Sequence, residues 1–415
     1  MDIRKLRISE IYYILIALGY VSTLFIYGMR PGIFGAFLMV LVIAELAFSR
    51  RLKLGRADII FAAYFAYQIL SVIWLTLGGF PFSVFAEEFA SSALPMVFYF
   101  AGKSAGSRRK IWYRNYIIAV LAIGIIGVIF YALAPQFYCD WAYRWSYISK
   151  ADAATARVRM HSVVGSTCLS YLSVAGMLAG AFFLGEAERS GAKADHSGAK
   201  ADRSGADTEG SEKGSSKRKN IIFSVSSMVL CFVFAVMANQ RSGLVVAALV
   251  IIYVNYLLFF RLDLIPRKFF AYEVIAIAAV FAAICFARFG VILKFWWRIE
   301  SLPTAISQRS EQWVAAVNNM YSSWIGNGLG ANGHKAIGIE DAHVIADGGL
   351  VKLYCENGVI GFSMFVYLLV LAFGNAGRNI KDHFAEAGIM AAALLQSIGS
   401  NILAFQLCAP VFWFA

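Results

Sequence analysis

The chain has 415 residues, 60% of them hydrophobic and 15% charged, with a mean hydropathy of +0.66 and a formal charge of +12. That composition excludes a soluble domain of this length, because repeated apolar runs of about 20 residues can satisfy their backbone in lipid only as helices. The expected class is therefore all-α, a polytopic integral membrane protein, and the positive charge has to be read from its distribution before any nucleic-acid partner is invoked.

Taken in order, the apolar runs predict spans at 9–28, 32–49, 57–78, 83–101, 115–134, 162–184, 221–239, 242–260, 270–289, 350–373 and 384–405. A short apolar tail at 406–415 opens another, which gives about 11–12 transmembrane helices. The first run is followed by Arg30-Pro31 and has no small-residue cleavage site, so it reads as a span and not as a signal peptide. With the N-terminus inside, the inner segments hold 25 of the 37 Lys and Arg residues, and the short outer turns hold only Arg30 and Arg241. The charge bias thus orients the chain N-terminus in and explains most of the high pI.

Residues 185–219 repeat SGAKAD at 190–195 and 197–202 and SGAD at 204–207. The segment has no apolar residues to bury and is expected to be a disordered inner linker. It divides an N-terminal bundle, 1–184, from a C-terminal bundle, 220–415. The six cysteines show neither CxxC nor Cys/His metal spacing, so neither a metal nor a cofactor is expected. A bridge between Cys139 and Cys355 is the minority reading.

Two outer segments are long, 135–161 and 290–349. The first holds an aromatic cluster that suits an interfacial belt. Both carry basic residues on the disfavoured side: Arg144, Arg157, Arg159, Arg288, Lys294, Arg298 and Arg309. Lipid headgroups or a phosphorylated substrate would each account for them.

The polar stretch 309–362 gathers the candidate chemistry. Arg309 opens a piece in which Trp313, Val317, Met320 and Trp324 recur at helical spacing and need something to pack on. Gly326-Asn327-Gly328-Leu329-Gly330 loosely resembles a phosphate-cradling loop. It lacks a Walker lysine, and a purely structural turn is the competing reading. His343 and Asp347 would share a face if helical and could act as an acid/base pair; alternatively Asp347 caps the following helix. Lys352 and Glu356, four apart, are expected to pair. Arg241 lies in a very short turn between two spans, where it either snorkels to water or faces a polar cavity. Its planar fork suits bidentate pairing with phosphate. Glu45, Glu87 and Glu88 lie within or beside spans without an assignable role.

QRSGL at 240–244, RSEQWVAAV with IGNGLGANG at 309–333, and DGGLVKLYCENGVIG at 347–361, with its Gly358-x-x-Gly361, occur in the order in which they resemble the O-antigen polymerase and O-antigen ligase superfamily. The resemblance covers residues 220–405; the first half matches only in hydropathy. It implies a GT-C-like bundle in the bacterial inner membrane, with a large outer loop before the penultimate full span. It also implies a metal-independent inverting glycosyltransferase that uses undecaprenyl-pyrophosphate-linked oligosaccharide as donor and acceptor. Membrane lipids and a chain-length regulator protein are the further partners it implies, and no nucleic acid is among them. Arg241 and Arg309 would stabilise the leaving pyrophosphate, and Asp347 or His343 would orient or deprotonate the acceptor hydroxyl. Arg157, Arg159, Arg288, Arg298, Gly328 and Gly330 would bind substrate. Ligases place a histidine eleven residues before the first glycine of Gly-x-x-Gly. Here that position is Asp347, which favours the polymerase branch. An O-antigen ligase and, from another class, a lipid-linked oligosaccharide transporter are the alternatives.

Overall fold

The computed structural model describes residues 7–26, 28–48, 55–145, 158–198, 207–261 and 302–415, together with a few isolated positions between 265 and 300. Most of the predicted span 270–289 and the candidates Arg157, Arg288 and Arg298 lie outside the described residues, as does the side chain of Arg144. The described chain is helical, with no strand, and contains seven helical stretches long and apolar enough to cross a membrane. The protein is a multi-pass membrane protein.

The order begins with α1 (Ile8–Ser22), α2 (Pro31–Phe48) and α3 (Arg56–Leu77). α4 (Phe82–Glu88) passes through a π turn and a 3-10 turn at Pro95 into α5 (Phe98–Ala105). The chain reverses over Gly106–Arg108 into α6 (Arg109–Val128), so the continuous stretch Phe82–Leu133 makes two passes, as the sequence predicts. α7 (Pro135–Trp145), α8 (Ser166–Gly198), α9 (Asp207–Ala238) and α10 (Arg241–Asn255) follow. α11 (Leu302–Asn318), α12 (Gly349–Arg378), α13 (Ile380–Gln396) and α14 (Ala409–Phe414) complete the series.

The core is continuous across both halves and rich in aromatic rings. Trp112 of α6 stacks on Phe414 of α14 at 3.7 Å between centroids and on Tyr116 at 5.5 Å. Such contacts add about 0.5–1.5 kcal/mol each beyond the area they bury. α8 lies almost wholly buried from Ser166 to Ala187, packed by α6, α9, α10 and α13.

Two expectations are corrected. The last predicted span, 384–405, ends early: α13 stops at Gln396, and Ser397-Ile398-Gly399-Ser400-Asn401 continues as irregular backbone, four of whose members are turn-formers. The tail 406–415 folds into the core as α14, with Val411 and Phe412 buried. The linker 185–219, expected to be disordered, is entered by helix from both sides, α8 running to Gly198 and α9 starting at Asp207. Cys139 and Cys355 are not joined in a disulfide.

Two ends of the bundle carry charge. At one end Glu10 pairs with Arg108 at 2.5 Å, Asp58 with Lys103, and Glu386 with Arg109 at 3.3 Å. Glu45, unassigned by sequence, accepts from the Ser9 backbone and hydroxyl at 3.0 and 2.9 Å. The other end holds Arg241, Arg309 and Asp347.

Candidate functional site

The site is built around the break after α13. Gly399 has no side chain; a Cβ there would lie 3.1 Å from the Ser242 Cβ and 4.0 Å from an Arg309 guanidinium nitrogen. The first turn of α10, which Arg241 opens, therefore meets the Arg309 side chain over this one glycine. Ser400 continues the contact, its hydroxyl 3.2 Å from that of Ser242. The Ser400 carbonyl accepts from the Gly349 amide at 3.2 Å, and the Asn401 amide group donates to the carbonyls of Ile345 and Ala346 at 2.8 and 3.2 Å. The segment 399–401 thereby ties together α10, α11 and the start of α12. Sequence reasoning missed it, although Ser-Ile-Gly-Ser-Asn inside an apolar run was a readable signal of a break.

Arg309 donates to Asp347 Oδ2 at 2.7 Å, with the two side chains 32% and 36% exposed. Trp313, one turn along α11, donates its indole N–H to the Asp347 carbonyl at 2.7 Å. Two sequence-predicted residues are thus brought into direct contact. His343 is not the helical partner of Asp347, because residues 342–348 are irregular and α12 begins only at Gly349. Asp347 is not the helix cap either: Gly348 occupies that position without a side-chain cap, and the carboxylate is taken by Arg309. His343 is held through its backbone, its carbonyl accepting from the Asn332 amide at 2.8 Å. Arg159 lies farther along the same end, between Val158 and Met160, which bond to Asn239 and Met237 just before Arg241.

The glycine turn is structural. The amides of Asn327 and Gly328 donate to the carbonyls of Cys355 and Glu356 at 2.8 and 3.0 Å, and that of Leu329 donates to the Ser71 hydroxyl at 3.1 Å. These N–H groups are committed to α12 and α3 and are not free to cradle a phosphate. Both glycines are needed for close packing. At Gly328 a Cβ would lie 2.7 Å from the Leu75 side chain, and at Gly330 3.0 Å from that of Glu88. The turn plugs a break in α12. Gly358 has φ 60° and ψ −170°, and the amides beyond it, of Val359 and Ile360, donate to the carbonyls of Ser323 and Trp324 at 2.9 and 3.0 Å. Gly361 packs on the Tyr67 ring.

Beneath lies a buried charge network. Lys352 pairs with Glu356, as the spacing predicts, at 3.1 Å, and with Glu88 at 2.6 Å. Glu87, one residue earlier, instead faces outward to Lys335 at 3.0 Å. The signal for Glu88 was an acid inside an apolar run, which needs a partner. A cavity of about 40 Å³ reaches from Lys352, Glu356 and Asn401 to Tyr64 and Trp413, with room for about two or three waters. The buried Oδ1 of Asn401 has no hydrogen-bond partner among the described residues. No group of three or more metal-ligating side chains occurs among them either. No protein-family model matches the chain, and no curated protein matches it.

Proposed function

We propose that the protein polymerises polyprenyl-pyrophosphate-linked oligosaccharide repeat units on the outer face of a bacterial inner membrane. The Arg241 end would face outward, the N-terminus would lie in the cytoplasm, and the bundle would be GT-C-like. The observation that carries the reading is the half-exposed Arg309–Asp347 pair, set over Gly399 against the first turn of the helix that Arg241 opens. A guanidinium paired with one carboxylate, beside a helix that a second arginine opens, supplies the group types that an inverting glycosyl transfer from a pyrophosphate needs.

In this reading the acceptor hydroxyl oxygen attacks the anomeric carbon of the donor. The new C–O bond forms as the bond to pyrophosphate breaks, and the electron pair leaves with the polyprenyl pyrophosphate. Arg309 and Arg241 stabilise that developing charge. The hydroxyl proton passes to Asp347, whose Oδ2 is already held by Arg309; Oδ1 is the oxygen we assign to the acceptor. A transporter would need polar groups in a file through the membrane. Among the described residues the ion pairs form one cluster around Glu10, Asp58 and Glu386 and another around Lys352 and Arg309.

The test is Asp347→Asn in cells, with surface glycan resolved by gel. Loss of long polymer with single repeat units still capping the lipid anchor is the expected outcome. Bare anchors with long polymer accumulating on the polyprenyl carrier would instead indicate a ligase, and repeat units stranded inside a transporter.

A further inference from the structure

The hydroxyl of Tyr67, in the middle of α3, contacts the carbonyls of Ile325 and Asn357 at 2.9 and 2.8 Å. That contact sets the height of the glycine turn against a membrane helix. α3 runs ten residues past Tyr67 to Leu77, about 15 Å at 1.5 Å per residue. Over that stretch Leu70, Ile73 and Leu77 are 52%, 53% and 70% exposed. Such a face on a spanning helix is in lipid, so lipid reaches well above Ile325. α12 gives the same height, since its break at Gly358 lies nine residues, about 13 Å, below its start at Gly349.

Backbone at that depth must be fully paired. The hydrogen bonds of 323–328 to both sides of the Gly358 break, and of Tyr67 to Ile325, supply such partners. The stretch around it has two faces. Trp313, Ala316 and Met320 pack inward on Ile345 and Cys355. Val317, Tyr321 and Trp324 face outward, 38%, 54% and 65% exposed.

We infer that the stretch 319–330 is a re-entrant hairpin, with Val317, Tyr321 and Trp324 in contact with the acyl chains of the leaflet at the Arg241 end. Acyl chains are the occupant because the patch is continuous with a lipid face: Val359 and Ile360, bonded to the backbone of 323–324, are themselves exposed on the spanning helix. A soluble partner would have to reach below the exposed upper turns of α3. The inference does not depend on the catalytic reading, and its test uses no activity.

The full chain is reconstituted in phosphatidylcholine vesicles with dibrominated acyl chains, and its tryptophan fluorescence is compared with that of Trp324→Phe. The expected result is that the variant loses a bromine-quenched component while quenching by aqueous iodide stays unchanged. Should Trp324→Phe fold poorly, Tyr321→Trp in the otherwise native chain is expected to add a bromine-quenched component. A Trp324 component quenched by iodide, or by neither agent, overturns the inference.

Discussion

Lys352 and Arg309 are both cations paired with carboxylates at the same end of the bundle, and their surroundings are opposite. Lys352 is 5% exposed between Glu88 at 3% and Glu356 at 1%, whereas Arg309 and Asp347 are 32% and 36% exposed. A buried pair has lost its hydration, and removing one partner strands a charge in a medium that cannot solvate it. A half-exposed pair is screened, contributes little, and can be opened by a ligand at small cost. The first arrangement holds two helices, α4 and α12, in register; the second can exchange partners.

The sharpest way to break that contrast is Lys352→Met. It leaves Glu88 and Glu356 without their shared cation and should cost about 3–5 kcal/mol. The expected result is a large drop in melting temperature in detergent, measured on the purified chain. Gly358→Ala comes next. Its φ of 60° lies in the left-handed region, and a Cβ would meet the Trp324 carbonyl, for a cost of about 1–3 kcal/mol. The same melting assay checks it.

Arg309→Ala should move the melt by no more than about 1 kcal/mol, yet abolish polymer under the proposed function. A variant that melts as early as Lys352→Met would remove the distinction between the two pairs. His343→Ala is expected to have the smallest effect, because what Asn332 uses is the backbone carbonyl, which alanine retains. Near-normal polymer on a gel and an unchanged melt would fit that role.

The spans were legible where apolar runs are long and unbroken, as at α2 and α3, because lipid imposes helix on such runs regardless of neighbours. Lys352–Glu356 was legible because both residues lie on one helix. Glu88 was not, since its partner is 264 residues away in sequence. Arg309 and Asp347 could be named, but their contact depends on how the 319–348 segment turns, which local propensity does not encode. His343 was misplaced for the same reason: four-residue spacing implies a shared face only if the segment is helical, and Asn332 and Asn401 hold it in another shape through its carbonyls. The break after Gln396 was hidden by a hydropathy average that the intervening Ser, Gly and Asn residues barely lower.

The unwound turn at Gly358 also bears on how the chain is made. The segment that completes its hydrogen bonds, 323–328, is synthesised before α12 and has no partner until α12 exists. A straight helix satisfies its own backbone in lipid, so α12 can enter the membrane unbroken. In the folded chain its bend is completed by hydrogen bonds with the earlier segment. The bend, and the Arg309–Asp347 pair beyond it, thus rest on contacts between separate segments of the chain and not on the helices alone.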